Sequence, residues 1–286
     1  MAEQLVSIGL PVFNGERFLA QAVESLLNQT YKNIELIISD NASTDATPDL
    51  CKRYAASDAR VRYSRLPENI GGVPNANRVF SLASGAYCML AADDDVWQPT
   101  YVEQCVRCLE RDPSAVLVCS EMAIIDETGT IQRRVGFSRT SDSLRPADRL
   151  REFANIFTIA DATYGVTRTR TVRQTPLFAI HPGHDRIFLA ELALRGRIVR
   201  IPEYLYLRRE HDRRSVNAYP SLRERYAWLS PGYARKRPFP HWGYLRGFAS
   251  AVVRVPMKLR DKWACGIVLL RWVRYHWKDL AGDLKP

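Results

Sequence analysis

The stretch "IELIISD", residues 34–40, is a continuous apolar run that ends in a polar residue. Runs of this kind are typical of strands buried on both faces of a parallel sheet, because half-exposed strands alternate apolar and polar residues. A second strand-like segment, "LVSIGLPVF" (5–13), precedes it, and the helical pattern "FLAQAVESLLNQ" (18–29) separates the two. The stretch therefore predicts part of a parallel α/β sheet.

The same alternation of strand and helix patterns continues along the first half of the chain. Further strands are predicted at 61–66, 86–95 and 115–125, and helices at 47–56, 75–83 and 101–111. A βαβαβαβαβ succession predicts a mostly parallel sheet with helices on both faces. The second half is less regular, with strand patterns at 162–170 and 197–211 on either side of an amphipathic helix at 184–196. The predicted fold class is α/β.

Three polar clusters follow predicted strands. They are "PVFNGE" (11–16), "SDNAST" (39–44) and "ADDD" (92–95). Ligands of such sheets bind outside the carboxyl ends of the strands, where these clusters would converge. Each cluster taken alone could be a turn or a helix start. Taken together, they predict one shared site.

The acid triplet Asp93, Asp94 and Asp95 needs a physical explanation. Neighbouring carboxylates repel one another, and their burial is costly unless a positive charge lies between them. A bound cation is the simplest such charge, and Mg²⁺ or Mn²⁺ commonly holds substrate phosphates through one or two carboxylates. No G-x-G-x-x-G follows the first strand and no G-x-x-x-x-G-K-[ST] occurs, which disfavours dinucleotide redox chemistry and P-loop hydrolysis.

Two longer stretches carry a family resemblance. "SIGLPVFNGERFLAQAVESLLNQTYKNIELIISDNASTDAT" (7–47) and "ENIGGVPNANRVFSLASGAYCMLAADDD" (68–95) resemble the nucleotide-binding half of the family 2 glycosyltransferases, which have the GT-A fold. The similarity covers about residues 5–126 and continues more weakly to about 215. It implies an inverting sugar transferase that uses Mn²⁺ or Mg²⁺ and a nucleotide-sugar donor.

The resemblance also implies roles for individual residues of the first half. Asp40 would accept a hydrogen bond from the pyrimidine ring, and Asn77 is retained from an Ala-Arg-Asn run whose arginine is replaced here by Ala76. Among the acids, Asp93 would face the ribose, Asp94 the donor sugar and Asp95 the metal. The base pocket would be lined by Pro11, Val12 and Phe13, with Glu16 nearby.

In the second half, related enzymes place a Glu-Asp pair at the start of a helix. Here His184 takes the glutamate position and Asp185 becomes the candidate catalytic base, although it could instead only cap the helix. His211 is the candidate metal-binding histidine of "RREHDRRS" (208–215), or else part of a solvated face. The neighbouring arginines could contact the diphosphate or could be surface charge; they are Arg208, Arg209, Arg213 and Arg214.

Cysteine usage and the N-terminal sequence bear on the compartment. Six cysteines, several in apolar runs, are typical of a reducing environment rather than of a disulfide framework. Cys105 and Cys108 have CxxC spacing but lie in a helical pattern without a second pair, which disfavours a metal or redox role. The N-terminus lacks the pattern of a signal peptide, so a cytoplasmic location is expected.

The net charge of +10 is concentrated in the C-terminal tail, where residues 231–286 contain twelve Lys or Arg against three Asp or Glu. "ACGIVLLRWVRYHW" (264–277) is too short and too charged to cross a bilayer. Basic, tryptophan-rich amphipathic segments suit an anionic membrane surface, so residues 233–278 are predicted to contact the inner face of the plasma membrane. The alternative is a helical cap on the catalytic domain. No nucleic-acid-binding motif accompanies the charge, and nucleic acid is not an expected partner.

These observations divide the chain into a nucleotide-sugar-binding half (1–126), an acceptor-binding half (127–230) and a basic, aromatic helical extension (231–286). The expected reaction is transfer of one sugar from a UDP or dTDP sugar to a hydroxyl of a glycan or lipid-linked acceptor in surface polysaccharide or glycolipid assembly. No Gln-x-x-Arg-Trp run of processive synthases occurs. A sugar-phosphate nucleotidyltransferase would be expected to have a glycine-rich basic loop after its first strand, which "PVFNGERF" is not. A non-catalytic, membrane-associated nucleotide-sugar-binding protein is the remaining alternative.

Overall fold

The computed structural model describes residues 3–136, 140–155, 160–233 and 238–285. Part of the predicted tail, including Arg235, Lys236 and Arg237, lies outside the described residues.

The first half of the chain folds as the apolar pattern predicts. Four strands pair in parallel in the order β3-β2-β1-β4, and β2 is buried at every position. Helix α1 faces this sheet with Leu19, Ala22, Val23 and Leu26, which recur at the spacing of one helix face. The elements are β1 (Val6–Val12), α1 (Leu19–Leu27), β2 (Ile34–Asp40), α2 (Thr47–Ser57), β3 (Val61–Arg65), α3 (Gly72–Leu82) and β4 (Tyr87–Leu90).

The second half extends the same sheet but makes it mixed. A short strand, β8, lies antiparallel between β4 and β6, and β9 then pairs in parallel with β6. The elements are β5 (Val96–Trp97), α4 (Tyr101–Arg111), β6 (Ala115–Ile125), β7 (Ile131–Val135), α5 (Pro146–Ala154), β8 (Val166–Arg168), α6 (Thr169–Val172), α7 (His184–Arg195), β9 (Arg197–Arg209), α8 (Ser215–Ala218), α9 (Leu222–Leu229), α10 (Pro240–Arg254), α11 (Leu259–Tyr275) and α12 (Trp277–Asp283).

The prediction of a mostly parallel sheet flanked by helices is confirmed, with one difference in its connectivity. Strands β4 and β6 are consecutive in the predicted succession, yet they are separated in the sheet by β8. The strand pattern at 162–170 is resolved into a short 3₁₀ turn, the three residues of β8 and the start of α6. Because β8 is so short, its pairing depends on the neighbouring strands rather than on its own sequence pattern.

The C-terminal helices pack onto the same core as the sheet. Phe248 of α10 is fully buried and lies 6.2 Å, between ring centroids, from Trp272 of α11. Helix α10 packs against α7, and α11 packs against α5. Among the helices of the described ranges, none has both the length and the apolar character needed to cross a bilayer. All six cysteines are free thiols, and Cys105 and Cys108 both lie on α4.

Candidate functional site

A cavity of about 720 Å³ opens at the carboxyl ends of β1 and β4, where the polar clusters were predicted to converge. Its walls come from the loops after these strands, the start of α3, the start of α7, the segment after β9 and helix α9. Its lining residues include Pro11, Val12, Phe13, Gly15, Asn41, Asp93, Asp94, Asp95, Phe178, His184, His211, Arg213, Arg214, Tyr219 and Trp228.

The loop after β1 is fixed by the loop after β2. The backbone N–H of Asn14 donates to Ser43 Oγ at 2.9 Å, and that of Gly15 donates to Thr47 Oγ1 at 2.9 Å. A Cβ atom at Gly15 would lie 2.3 Å from Asp93 Oδ2, so only glycine lets the acid approach this loop so closely. The predicted base-pocket residues Pro11, Val12 and Phe13 therefore line the cavity beside the acids.

Asp40 does not line the cavity, in disagreement with its predicted contact to a pyrimidine ring. Its side chain is fully buried, with Oδ1 accepting the N–H of Ser43 at 2.8 Å and Oδ2 accepting the hydroxyl of Tyr63 at 2.9 Å. Arg65 Nε lies 3.4 Å from Oδ2. Asp40 thus shapes the loop after β2, and the next residue, Asn41, is the one that lines the cavity.

Asn77 and Glu16 also lie away from the cavity walls. Asn77 pairs with the backbone of Phe178, donating to its carbonyl at 3.0 Å and accepting its N–H at 2.9 Å. Phe178 packs edge-on against His184, with ring centroids 5.1 Å apart. Asn77 therefore positions one cavity wall indirectly. The carboxylate of Glu16 accepts the backbone N–H of Ala46 at 2.9 Å and thereby ties two loops together.

The three consecutive aspartates have three different environments. Asp95 is 3% exposed, and its oxygens accept the hydroxyl of Tyr206 and, at 2.8 Å, the backbone N–H of Arg209. Asp94 keeps 22% of its side chain exposed and lies 2.8 Å from His211 Nε2. The assignment of the metal to Asp95 stays a prediction; Asp94 is the acid that faces the histidine.

Crowding of the acids perturbs their proton affinity. Burial raises the pKa of Asp93 well above its ordinary value, and the negative charge of Asp94 raises it further. Burial raises the pKa of Asp95 to about 7, again with a contribution from Asp94. Both shifts have the direction expected of carboxylates held together in a site of low dielectric constant.

Arg209 holds the acid loop in place. Its side chain is fully buried and donates to the carbonyl oxygens of Asp94, Asp126 and Glu127, each at 2.9 Å, and to Gln21 Oε1 at 2.6 Å. The guanidinium also lies over the ring of Phe18, 4.6 Å from its centroid. The interpretation of Arg209 as a diphosphate ligand is therefore wrong, because these donors are directed at protein groups.

His211 lies two residues beyond Arg209 and completes the acid side of the cavity. Its side chain is 6% exposed, and Nε2 approaches Asp94 while the buried Nδ1 has no hydrogen-bond partner among the described residues. An imidazole nitrogen and a carboxylate oxygen at 2.8 Å form a donor set that suits a borderline or hard divalent cation. The residues present thus fit a metal ion at Asp94 and His211.

The remaining predicted residues divide between cavity wall and surroundings. Arg213 and Arg214 line the cavity together with the acids, whereas Arg208 does not. Glu210 contacts both Arg208, at 3.3 Å, and Arg214, at 3.1 Å. Asp185 lies in the first turn of α7, half-buried, next to the cavity-lining His184. An acid in this position interacts favourably with the helix dipole.

No sequence pattern points to Tyr206, to the structural role of Arg209, or to the aromatic pair Tyr219 and Trp228. Tyr219 and Trp228 stack with ring centroids 5.9 Å apart and form a wall of the cavity. Tyr206 is one of several aromatic and apolar residues of β9, and nothing in the sequence sets it apart from them. Tyr219 and Trp228 lie in a segment without clear helix or strand periodicity. The several aromatic residues of this segment are the sequence feature that could have indicated a binding surface.

Comparison with known proteins identifies relatives of this arrangement. The family model described as Glycosyl transferase family 2 matches residues 7–173. Glycosyltransferase GlyG of Streptococcus pneumoniae is 33% identical over 116 residues, which cover 40% of this chain and 38% of GlyG. Chondroitin synthase of Escherichia coli is 34% identical over 128 residues, 44% of this chain and 18% of the synthase. The chain thus spans less than half the length of these curated relatives.

Two solved structures share the fold. S. aureus TarS 1–349 in complex with UDP-GlcNAc aligns over 96% of this chain and 72% of its own, with a TM-score of 0.70 and 15% identity. The mannosyltransferase PcManGT from Pyrobaculum calidifontis, in complex with GDP-Man and Mn²⁺, aligns over 99% and 86% with a TM-score of 0.56 and 16% identity. At this identity the likeness extends to the fold alone.

Proposed function

This chain belongs to glycosyltransferase family 2 and has a GT-A type fold, and from that premise we propose that it transfers a single sugar from a UDP or dTDP sugar to a hydroxyl of a glycan or lipid-linked acceptor, with inversion. The reaction would serve assembly of surface polysaccharide or glycolipid. The observation that carries the proposal is a single cavity, at the carboxyl ends of β1 and β4, that is lined by the Asp94–His211 pair and by Arg213 and Arg214.

The two sides of this cavity suit the two ends of a nucleoside diphosphate sugar. The base would lie against Pro11, Val12 and Phe13, and the diphosphate between the acid side and the guanidinium groups of Arg213 and Arg214. Guanidinium pairs well with phosphate oxygens. Asp94 and His211 would hold Mn²⁺ or Mg²⁺, which neutralises the diphosphate as the leaving group becomes charged. Asp93, packed against Gly15, would reach the ribose.

In the transfer step, the acceptor oxygen forms a bond to the anomeric carbon while the bond from that carbon to the diphosphate oxygen breaks. The nucleoside diphosphate leaves with the electron pair, and the acceptor's proton passes to Asp185 as general base. The position of Asp185 at the start of α7, beside the cavity wall, supports this role. The stacked rings of Tyr219 and Trp228 offer an apolar face for a sugar ring, which supports a glycan acceptor.

The donor site is tested with the variant Asp94→Asn. We expect calorimetry with UDP and Mn²⁺ to show at least tenfold weaker binding, because the variant loses a charged metal ligand. Asp49→Asn is the matched control, since Asp49 is an exposed acid on α2 outside the cavity. Equal affinity of both variants would rule out Asp94 as the metal ligand. Donor hydrolysis by the wild-type chain, screened over a panel of nucleotide sugars, separates an enzyme from a binding protein.

The membrane partner is supported by the exposed face of α11. Leu259, Trp263 and Leu270 lie on this helix with 84%, 74% and 70% of their surface exposed, and Ile267 lies between them. Exposed basic residues accompany this apolar row, and they are Lys258, Arg260, Arg271, Arg274 and Lys278. Exposed apolar rows bordered by basic charge suit the interface of an anionic bilayer. In this proposal the enzyme works peripherally at the cytoplasmic face of the plasma membrane, beside a lipid-linked acceptor.

Vesicle flotation tests the membrane contact. The variant Trp263→Ser with Leu270→Ser should lose flotation with anionic vesicles, whereas Leu144→Ser, which changes a leucine that is 80% exposed elsewhere, should keep it. Flotation should fall at high salt because lipid charge is then screened. Equal flotation of all forms, or none for the wild-type chain, would contradict the proposal while leaving the donor site untouched.

A further inference from the structure

A second group of metal-ligating side chains lies in the C-terminal helices, apart from the cavity. His241 is in the first turn of α10, His276 lies between α11 and α12, and Asp279 is in the first turn of α12. One ligand atom from each residue lies within 4.8 Å of the other two. A single carboxylate oxygen, Asp279 Oδ2, is 2.9 Å from His276 Nδ1 and 3.8 Å from His241 Nε2.

These distances are close to those of a tetrahedral site. Zinc binds imidazole nitrogen and carboxylate oxygen at about 2.0–2.2 Å, which places any two ligand atoms about 3.4 Å apart at the tetrahedral angle. The separations of 2.9 and 3.8 Å lie on either side of that value. All three ligand atoms lie within 4.8 Å of one another, so side-chain rotations would bring His241, His276 and Asp279 to bonding distance around one ion.

The outer partner of His241 is also in place. Asp283 Oδ1 lies 3.1 Å from His241 Nδ1, while Oδ2 accepts the backbone N–H of His241 at 2.8 Å and that of Trp242 at 3.2 Å. When Nδ1–H donates to this carboxylate, the lone pair of Nε2 is left free on the side of Asp279. Histidine ligands of metals commonly have a carboxylate partner of this kind, which fixes the tautomer and the ring orientation.

His276 is held rigidly and Asp279 leaves the group accessible. His276 is 4% exposed, and its ring packs against Trp272 and Tyr275 with centroid distances of 4.5 and 4.8 Å. Its backbone N–H donates to the carbonyl of Trp272 at 2.9 Å. The side chain of Asp279 is half exposed, so an ion can enter from solvent and retain a water as its fourth ligand.

We propose that His241, His276 and Asp279 form a binding site for a borderline divalent cation of the zinc class, oriented by Asp283. Two imidazole nitrogens and one carboxylate oxygen favour such an ion over Mg²⁺ or Ca²⁺, which prefer oxygen ligands. The ion joins the start of α10 to α12 and thereby fixes the end of the basic helical extension. This site is independent of the proposed transferase reaction, because its residues do not line the cavity.

The experiment uses the full chain carrying Asp94→Asn and His211→Gln, so that the cavity no longer competes for metal. Calorimetry with Zn²⁺ and absorption spectra with Co²⁺ should show one bound ion, with the intense visible bands of a tetrahedral complex. Adding Asp279→Asn or His241→Gln should weaken binding at least tenfold, and Asp283→Asn should weaken it about 10–100-fold. Asp261→Asn, a change to an acid of α11 outside the group, should have no effect.

Thermal unfolding of each metal-free variant checks that the fold is kept. Asp279→Asn is the decisive change because the side chain of Asp279 is half exposed and asparagine has nearly the same shape as aspartate. Saturating Zn²⁺ should raise the Tm of the parent chain and leave that of the Asp279→Asn form unchanged, since binding to the native state alone stabilises it. Absence of stoichiometric binding, or binding that is equal in parent and Asp279→Asn, would overturn the proposal.

Discussion

Replacing Arg209 with lysine should destabilise the chain and weaken donor binding together, although the positive charge is kept. The guanidinium donates four side-chain hydrogen bonds from its three nitrogens, to the carbonyls of Asp94, Asp126 and Glu127 and to Gln21. A lysine ammonium donates from one atom and cannot reach acceptors arranged around a planar fork. At least two of the four acceptors would lose the donor that they have in the native protein.

The size of the effect follows from these lost bonds. Hydrogen bonds that involve a charged group contribute about 1.5–3 kcal/mol each, so loss of two gives a decrease of about 3–6 kcal/mol in the free energy of unfolding. In domains of about 150–250 residues, 1 kcal/mol corresponds to roughly 2–4 °C in Tm. The Tm should therefore fall by about 6 °C or more. Since the Nε–H of the guanidinium fixes the backbone of Asp94 and lysine has no equivalent donor, UDP affinity in the presence of Mn²⁺ should fall as well.

Differential scanning calorimetry and UDP titration measure the two effects on one sample. The control is Arg107→Lys, because Arg107 is 63% exposed and pairs with Glu103, one turn away on the same helix. Such surface pairs contribute little, and its Tm should change by less than about 2 °C. If Arg209→Lys and Arg107→Lys gave the same Tm and the same UDP affinity, the assignment of Arg209 as the support of the acid loop would be refuted.

Two further predictions concern catalysis and acid stability. Asp185→Asn should leave UDP affinity unchanged and lower turnover by about 10²–10⁴-fold, the usual contribution of a general base; undiminished turnover would remove Asp185 from that role. Burial alone would raise the pKa of Glu35, yet hydrogen bonds from Ser7, Ser84 and Arg62 outweigh it and hold the pKa at about 2, below its ordinary value near 4.5. The contribution of Glu35 to the free energy of unfolding is therefore complete above about pH 4.5 and is lost as the pH falls towards 2. Glu35→Gln should flatten the curve of Tm against pH in that window. An unchanged slope would contradict the pKa shift.

The parallel part of the sheet could be predicted because its signal is local. Strand β2 and helix α4 begin and end at the predicted residues, since a continuous apolar run and a helical apolar face each identify an element without its neighbours. Strand β7 has no such signal, because its residues Ile131–Val135 are largely exposed and polar. Strand β5 has only two residues, and its pairing with β9 connects positions more than a hundred residues apart in the chain.

The directions of the individual site side chains also depend on residues distant in the sequence, and a local pattern cannot predict them. Sequence position placed Asp40 at the end of a strand, but its direction is set by Tyr63 and Ser43, which occupy both of its oxygens. Once a strand has ended, the alternation of period two no longer tells which side chains face the crevice. The three polar clusters all contribute residues to one cavity, whereas the roles of their individual members were not determined by the pattern.

Within the acid triplet, a structural role for Asp95 and a metal-binding role for Asp94 can be separated by experiment. Asp95 accepts hydrogen bonds from Tyr206 and from the backbone of Arg209, and His211 follows two residues later. Asp95 thus anchors the end of β9 and positions His211 beside Asp94. Removing Asp95 should therefore also reduce metal-dependent donor binding, which would make it resemble a ligand. Thermal stability separates the two roles: Asp95→Asn should lower the Tm because it disturbs a buried network, whereas Asp94→Asn should lose donor affinity at nearly unchanged Tm.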